Sequence, residues 1–377
     1  MYIRGAGMTR FDVEQTPSFE RVEECVSEAL DEARLGLDDV GAVFLSSTES
    51  AGNSERQRHT SPMISSLFQK KIPIVNMPWG CGGGGVALWN ALQFLRTTSH
   101  EHVMVLGVDK VVGNTSERLT DEILMGGDRL YEQSEGMVFP AQNALVAQQY
   151  MLRCGATEND FALVALKNHE NGFLNPKARF YGKRITMEAI VKSPVVASPL
   201  RLFDCSISCN GAAAVIVSKQ KSDVEIVGSA MSTSNLSAFE RKDPISWEAT
   251  KVAARGAYAQ AGIRPDEIDF AEIHDAFTPV ELISYEDLGL CKQGEGISLI
   301  RDGKTSLNGQ IPVNTSGGLK ARGHPISPTG IAQVYEIVRQ MKGECGKRQL
   351  DRPKIGLAQN IGGAGSMVAV HVLRNHG

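Results

Sequence analysis

The feature of this sequence that most constrains its fold is an internal repeat. Residues 21–45 and 247–273 each read as an amphipathic helix, a glycine, an acidic pair and an apolar strand. Residues 72–95 and 311–338 each run from a strand-like start, through a glycine-rich loop, into a helix. The copies lie more than 200 residues apart, which is too far for a solenoid, whose units repeat every ~20–50 residues. The pattern predicts a duplicated α/β fold whose halves are related by a pseudo-twofold axis.

The duplication also predicts how the chain is divided. We place the N-terminal half at residues 1–220 and the C-terminal half at residues 221–377. Residues 115–200 are rich in loop signals, including MGGDR and NGFLNPKARFYG, and we expect an inserted loop domain there. The glycines after the first helix of each half, Gly36 and Gly262, are predicted to end those helices in a left-handed conformation.

Charge and cysteine usage exclude several classes of protein. The formal net charge of −4 argues against a nucleic-acid binder, and no run reaches the ~18 apolar residues that cross a bilayer. The seven cysteines are odd in number and scattered, and the N-terminus lacks the layout of a secretory signal, so we expect a cytoplasmic protein. Cys205 and Cys209 have no second ligand pair at zinc-site spacing, and we predict no metal site.

Residues 79–90, WGCGGGGVALWN, place a cysteine before four glycines that open a helix. Glycine inside a helix costs roughly 1 kcal/mol relative to alanine, so this run weakens the helix it begins. Three interpretations compete for Cys81. The glycines match the dinucleotide pattern G-x-G-x-x-G, but Pro78 and Trp79 stand where that motif requires a strand. Alternatively, Cys81 is a buried structural residue, or it is a nucleophile.

The nucleophile interpretation gives the glycines a purpose. A cysteine at a helix N-terminus faces unpaired N–H groups and the positive end of the helix dipole. Both are expected to lower the pKa of the Cys81 thiol below its ordinary value of about 8.5. The same N–H groups can bind the oxyanion that forms when a thioester is attacked. The glycines would then let an acyl group lie against bare backbone.

A thiol that attacks thioesters needs a proton-transfer partner, and histidine is the usual one. His274 follows the strand-like DFAEI, and His324 lies in GGLKARGHPISPTG, a loop that opens a helix. Because sites gather at the ends of parallel strands, we expect both residues near Cys81. The role of His169 stays open, and surface positions are predicted for His100, His102, His371 and His376.

These blocks together resemble the thiolase superfamily. The stretch around Cys81, HDAF with His274, GGLKARGHPISPTG with His324 and the terminal NIGGAGS are similar to its four active-site loops. HDAFT followed by YEDLGLCKQGEG resembles the sterol-carrier-protein-associated and archaeal branch. The resemblance covers essentially the whole chain. It implies a layered α-β-α-β-α fold and a CoA-dependent acyltransferase that cleaves or forms a 3-oxoacyl-CoA through an acyl-cysteine.

The resemblance also implies a role for each matching residue. Cys81 matches the nucleophile, and His324 matches the base that activates it. His274 matches a second donor at the oxyanion hole for the thioester. Gly362, in NIGGAG, matches the backbone N–H that joins the N–H of Cys81 in the other oxyanion hole.

Coenzyme A is implied as a substrate, with no permanently bound cofactor. Residues 115–200 are expected to cover it, with Ser316 and Gly317 near its pantetheine arm. Trp79 offers a flat apolar wall and Gly82 makes room beside the nucleophile, which predicts an acyl group bulkier than acetyl. The alternative is that both residues serve subunit packing. Similarity to the thiolases of anaerobic toluene breakdown implies an aromatic substrate such as benzoylsuccinyl-CoA.

The sequence departs from the family pattern at one point. Thiolases usually carry a second cysteine as acid or base, where this chain has Asn360 and Ala276. Either His274 takes over proton transfer, a residue such as Cys291 or Asn360 substitutes, or the reaction needs less help. The loss also fits a decarboxylating ketoacyl synthase, in which decarboxylation generates the carbanion without a base. A non-catalytic scaffold that binds CoA esters is a further alternative.

The resemblance extends to partners. The archaeal branch commonly works with a small subunit that carries a zinc ribbon and an OB fold. We therefore expect a homodimeric core joined by such a subunit, with the zinc held by the subunit and not by this chain.

Overall fold

The chain folds around a mixed sheet, seen in a computed structural model that describes residues 1–48, 54, 55, 57–113 and 115–377. Within these residues, nine strands form the sheet in the order β3-β2-β4-β7-β1-β8-β11-β10-β9, and β5 and β6 form a separate hairpin. The strands are β1 (Tyr2–Met8), β2 (Val43–Ser46), β3 (Ile74–Asn76), β4 (His102–Lys110), β5 (Val195–Ala197), β6 (Leu200–Arg201), β7 (Asn210–Ser218), β8 (Val224–Thr233), β9 (Phe270–Glu272), β10 (Ile355–Gly362) and β11 (Met367–Asn375).

The α-helices of the described residues connect and cover these strands. They are α1 (Ser18–Ala33), α2 (Thr60–Ser65), α3 (Gly83–Thr97), α4 (Ser116–Leu124), α5 (Phe139–Cys154), α6 (Glu158–Leu174), α7 (Met187–Val191), α8 (Glu248–Ala261), α9 (Thr278–Asp287), α10 (Gly296–Arg301), α11 (Gly318–Ala321) and α12 (Thr329–Met341).

The two edges of the sheet have the same arrangement of strands. One half-sheet, β3-β2-β4-β7-β1, joins the other, β8-β11-β10-β9, through two residue pairs at Tyr2 and Ile3 of β1. β2 is parallel to β3 and β4, and β9 is parallel to β10. A parallel bridge between Ala271 and Val313 stands in the second half where β3 stands in the first. The topology confirms the duplicated α/β fold with pseudo-twofold halves.

Helices separate and cover the two half-sheets. α3 and α12 contact each other, and each contacts strands of both halves, so they form the central layer. α1 covers β1 and β7 on the outside of the first half, and α8 covers β8 and β11 on the outside of the second. The order of layers is therefore α-β-α-β-α, as the family resemblance implies.

β4 shows how the sequence produces these layers. Successive side chains of a strand point to opposite faces of the sheet. Val103 and Val105 belong to the apolar cluster around the central helices, whereas Met104 and Leu106 belong to the cluster under α1. Because both faces of the strand are covered, the segment reads as a continuous apolar run.

The predicted helix ends are right in one half and wrong in the other. Gly262 follows α8 with φ 65°, the left-handed conformation that glycine adopts without strain. After α1 the left-handed residue is Arg34, with φ 55°, whereas Gly36 has φ −96° and begins the next turn. The glycine pattern therefore located the connection but misplaced the helix end by two residues.

Residues 115–200 contain α4 to α7 and the β5–β6 hairpin. α5 and the hairpin contact each other, and α6 packs against α11 of the C-terminal half. Among the helices of the described residues, none has the length and apolar character needed to span a membrane.

Candidate active site

Cys81 lies in a turn at residues 80–82, between β3 and the N-terminus of α3. Its side chain is partly exposed and lines a cavity of about 460 Å³. His274 and His324 line the same cavity. The sulfur of Cys81 and one ring nitrogen of each histidine lie within 4.8 Å of one another. The structure therefore brings together the three side chains that the sequence singles out for catalysis.

His324 lies between α11 and α12 and contacts the nucleophile directly. Its Nε2 is 3.3 Å from Cys81 Sγ, and its Nδ1 is 2.7 Å from the hydroxyl of Thr329, the first residue of α12. The N–H of His324 donates to the Ile207 carbonyl at 2.9 Å, which holds the loop. When Nδ1–H donates to Thr329, Nε2 presents its lone pair to the thiol, as a general base requires.

His274 follows β9 and packs against His324. The two rings are perpendicular, with centroids 5.4 Å apart. His274 Nδ1 lies 3.4 Å from the side-chain nitrogen of Asn360. Its Nε2 has no hydrogen-bond partner among the residues that the structure describes. That nitrogen is therefore available to a ligand in the cavity.

Asn360 and Gly362 lie near the end of β10 and hold the turn that carries Cys81. The Asn360 amide donates to the Cys81 carbonyl at 2.8 Å and accepts from the N–H of Gly85 at 2.9 Å. The backbone of Gly362 lies against Gly82: a Cβ atom at Gly82 would be only 3.0 Å from the Gly362 nitrogen. The close approach places the Gly362 N–H next to the nucleophile turn.

The resting site is uncharged at its reacting atoms. Burial, and then the carboxylate of Asp109, raise the pKa of the Cys81 thiol to about 12. Burial, and then the guanidinium of Arg322, lower the pKa of His324 to about 3, and burial also lowers the pKa of His274 well below its ordinary value. The pKa of the Cys81 thiol therefore shifts upward, opposite to the direction that the helix dipole predicts, and desolvation is the main cause.

Two of the four glycines, Gly84 and Gly85, allow close packing at the N-terminus of α3. A Cβ atom at Gly84 would lie 2.8 Å from the Ser327 carbonyl oxygen, just before α12. A Cβ atom at Gly85 would lie 3.0 Å from the Cβ of Asn360. The missing side chains let the N-termini of α3 and α12 meet. The glycines do not line the cavity, so the expectation that the acyl group lies against them stays a prediction.

The residues predicted to bind substrate lie outside the cavity lining. Ser316 is buried, with its hydroxyl donating to a Glu272 carboxylate oxygen at 2.5 Å. Gly317 is buried against α6, at φ 100°. Trp79 is 37% exposed on the surface, and the Cα of Gly82 faces Gly362. None of these four residues lines the cavity, and their role as substrate contacts stays a prediction.

The cysteine that lines the cavity beside Cys81 is Cys205 and not Cys291. Cys291 packs against the core of the C-terminal half and does not line the cavity. Cys205 does line the cavity, and its backbone forms a bridge with Phe277. The N–H of Ser206 donates to the Ala276 carbonyl at 2.8 Å, so this segment runs beside HDAF. Sequence reasoning missed Cys205 because no local motif pairs these two segments.

Histidines outside the site are more buried than predicted. His371 is 1% exposed in β11, with ring nitrogens 2.9 Å from the Ser229 hydroxyl and 3.1 Å from the Gly85 carbonyl oxygen. His102 is also buried. His169 is buried among phenylalanine rings, away from the cavity. The surface assignments of His102 and His371 are wrong because both histidines lie in central strands.

The remaining cavity wall is mainly apolar. It draws on α4 and α5 of the inserted segment, the β5–β6 hairpin and the loops of the C-terminal half. The larger apolar side chains are Ile123, Leu124, Val138, Phe139, Val196, Trp247, Phe277, Val280, Ile326 and Ile361. Polar lining side chains besides the catalytic three include Thr120, Asn143, Cys205, Ser206 and Ser208.

Comparison with known proteins agrees with this fold and site. Residues 1–221 match the thiolase N-terminal domain, and residues 228–375 match the thiolase C-terminal domain-like family. The chain belongs to the thiolase family.

Several relatives refine the position of the chain within that family. It is 37% identical over 377 residues to an acetyl-CoA acetyltransferase of Methanothermobacter thermautotrophicus, covering 98% of this chain and 97% of that protein. It is 32% identical over 301 residues to the benzoylsuccinyl-CoA thiolase subunit BbsB of Thauera aromatica, covering 78% of this chain and 77% of that one. A solved structure of an Ltp2–ChsH2(DUF35) aldolase aligns with a TM-score of 0.83 at 25% identity, over 99% of this chain and 97% of that chain.

Proposed function

We propose that this protein is a CoA-dependent thiolase that transfers acyl groups through Cys81. The observation that carries the proposal is the 3.3 Å contact between Cys81 Sγ and His324 Nε2, beside His274 at the wall of a cavity. A thiol next to an unprotonated imidazole is the arrangement that nucleophilic acyl transfer needs. The substrate would be a 3-oxoacyl-CoA, with coenzyme A as the second substrate and no permanently bound cofactor.

The first half-reaction forms the acyl-enzyme. His324 Nε2 takes the thiol proton as Cys81 Sγ attacks the 3-oxo carbon, and the backbone N–H groups of Cys81 and Gly362 stabilise the oxyanion. The C2–C3 bond breaks, which leaves the acyl group on sulfur and the electron pair on C2 of the departing CoA ester. His274 Nε2–H stabilises the enolate oxygen of that ester. C2 then takes that proton back from His324, either directly or through Cys205, which gives its own proton to C2 and is reprotonated by His324.

The second half-reaction releases the acyl group. Coenzyme A enters, and its thiol gives a proton to His324 while its sulfur attacks the thioester carbon. The bond between carbon and Cys81 Sγ breaks, and the sulfur takes the proton back from His324. Run in reverse, the same steps give Claisen condensation. His324 carries the proton in both half-reactions, which suits its place between the nucleophile and the cavity.

We also propose an acyl group bulkier than acetyl, with an aromatic group such as the one in benzoylsuccinyl-CoA. Support comes from the cavity wall, where Phe139, Trp247 and Phe277 supply three aromatic faces among aliphatic side chains. The name of the BbsB relative is in keeping with this size of substrate. In this proposal the three rings contact the acyl group, because they line the cavity and Trp79 and Gly82 do not.

A homodimer with a small zinc-ribbon and OB-fold partner subunit is proposed as the working assembly. The aligned aldolase carries a DUF35 component in its name, and BbsB is named as a subunit. β3 lies at the edge of the sheet, with Val75 44% exposed. An exposed edge strand is a surface on which a second copy can pair.

Steady-state assays separate this function from its alternatives. The purified protein, alone and with a partner subunit from its native source, receives benzoylsuccinyl-CoA or acetoacetyl-CoA with free CoA, and separately a malonyl thioester. Thiolysis of a 3-oxoacyl-CoA supports the proposal. Turnover of the malonyl thioester alone would instead assign a decarboxylating ketoacyl synthase. Saturable binding without turnover of any of the three would assign the scaffold.

A further inference from the structure

The Asn360 side chain occupies a slot between the N-termini of α3 and α12. It is 1% exposed. A Cβ atom at Gly330 would lie 2.4 Å from its Oδ1, and one at Gly85 would lie 3.1 Å from the same oxygen. Any residue larger than glycine at either position would displace the amide. A side chain confined in this way is held in place.

The chemistry of its neighbours fixes which end of the amide is which. Oδ1 faces the N–H of Gly85 at 2.9 Å, and Nδ2 faces the carbonyl of Cys81 at 2.8 Å. A backbone N–H can only donate and a backbone carbonyl can only accept. Exchanging the oxygen and nitrogen of the amide would therefore lose both hydrogen bonds. Nδ2 must be the end that points toward the carbonyl.

The same Nδ2 lies 3.4 Å from Nδ1 of His274. Since an amide NH₂ has only protons to offer, Nδ1 must be the acceptor, and a neutral imidazole then carries its single proton on Nε2. We propose that Asn360 is a positioning residue that locks His274 in the tautomer with its proton on Nε2. The lock makes His274 a hydrogen-bond donor toward the cavity.

The lock also decides what His274 cannot do. An Nε2 that carries a proton has no lone pair for taking a proton from a substrate, which disfavours His274 as the replacement base. A metal ion could bind this Nε2 only after its proton had moved to Nδ1 or left the ring. One cysteine sulfur and two imidazole nitrogens within 4.8 Å of one another would otherwise suit Zn²⁺ by ligand type. Asn360 thus keeps a catalytic cluster from becoming a zinc site. Only the donor role toward substrate rests on the proposed function.

The substitution Asn360→Asp tests the lock. A carboxylate still accepts from Gly85 but also presents an acceptor to Nδ1 of His274, so the ring proton should move to Nδ1. ¹⁵N NMR of protein labelled at histidine distinguishes the tautomers, with the His274 signals assigned by their loss in His274→Gln. We expect Nε2–H in the wild type and Nδ1–H in Asn360→Asp. Asn143→Asp adds the same charge to the cavity wall and should leave the His274 signals unchanged.

Zinc affinity gives a second measurement. It should not change if Asn360 only supports the backbone of the Cys81 turn. Titration with Zn²⁺ against a chromophoric chelator should show at least about tenfold tighter binding to Asn360→Asp than to the wild type. Adding Cys81→Ser to Asn360→Asp should remove that gain. If thiolysis occurs, Asn360→Asp should also slow it at least about tenfold.

Three results would overturn the lock. These are an Nδ1–H tautomer in the wild type, an unchanged His274 tautomer in a folded Asn360→Asp, and equal zinc affinities of the two proteins. The wild-type spectrum decides the matter even if the variant does not fold. Reversal of the tautomer in a protein without thiolase activity would support the lock and reject the proposed function.

Discussion

The two halves of the molecule place different side chains at equivalent strand ends. Asp109 lies near the end of β4, and Asn360 lies near the end of β10. Each reaches the N-terminal region of the central helix of the other half. Asp109 accepts from the N–H of Ser327 at 2.8 Å, just before α12, and Asn360 accepts from the N–H of Gly85 at 2.9 Å, in α3. The pair braces the two helices symmetrically.

The difference between them lies in charge and in donors. The carboxylate of Asp109 can only accept, and its charge contributes to the raised pKa of the Cys81 thiol. The amide of Asn360 also donates, to Cys81 and to His274. Duplication therefore supplies a symmetric frame, and within this pair only Asn360 also contacts Cys81 and His274 as a donor.

The largest effect is expected when the amide is replaced by a side chain of similar size without hydrogen bonds. In Asn360→Leu the N–H of Gly85 and the carbonyl of Cys81 lose buried partners, at about 1–3 kcal/mol each. The free energy of unfolding should fall by about 2–6 kcal/mol in urea titrations. The loss should be the same at acidic and neutral pH, because no charge is involved. A loss that changes with pH would contradict this account.

The charged member of the pair should make stability depend on pH. Burial raises the carboxyl pKa of Asp109 from 3.8 to about 6, so the folded protein holds a proton that the unfolded chain releases within this range. Stability should therefore fall as the pH rises through this window. Asp109→Asn removes the contribution of this carboxyl group, so the stability of the wild type should fall relative to that of the variant by up to about 3 kcal/mol between pH 3.8 and about 6. Urea titrations at both ends of the window measure it, and a constant difference would contradict the prediction.

A smaller effect is expected where the helices that the pair braces meet. Helix propensity alone predicts that Gly84→Ala stabilises the protein by roughly 1 kcal/mol. Packing predicts the opposite, a loss of about 1–3 kcal/mol, because the new methyl group would lie 2.8 Å from the Ser327 carbonyl oxygen. Thermal or urea denaturation decides the sign. Gly36→Ala, whose Cβ would lie 3.7 Å from the Asp39 carboxylate, an ordinary contact distance, is the control and should change stability little.

The smallest effect concerns Cys205 as a proton donor to C2 of the departing CoA ester. Cys205→Ala should lower kcat for thiolysis by about 3- to 10-fold, a modest loss for a general acid because His324 can supply the same proton. Cys291→Ala, outside the cavity, should leave kcat unchanged. Equal losses in the two variants would remove Cys205 from the mechanism.

The fold and the three residues Cys81, His274 and His324 could be predicted from the sequence because each depends on a continuous stretch of residues. The repeated helix, acidic pair and strand indicate the duplicated halves, and the loops around Cys81, His274 and His324 are continuous motifs. The spacing of apolar residues reflects which faces of a strand or helix are buried, and this spacing can be read from a single sequence.

What could not be predicted depends on contacts between distant segments. The slot that Gly85 and Gly330 leave for Asn360 joins residues from two helices and one strand that are far apart in the sequence. Cys205 comes beside Ala276 only through a backbone bridge. The raised pKa of the Cys81 thiol follows mainly from burial. The position of a cysteine at a helix N-terminus does not indicate how deeply it is buried.

Mass spectrometry of the protein mixed with a 3-oxoacyl-CoA, without free CoA, tests the central claim most directly. We expect a mass gain equal to the acyl group, located on the peptide that contains Cys81. The gain should be absent in Cys81→Ala and strongly slowed in His324→Ala. An unmodified Cys81 in protein that turns the substrate over, or an acyl group carried by another cysteine, would contradict the mechanism.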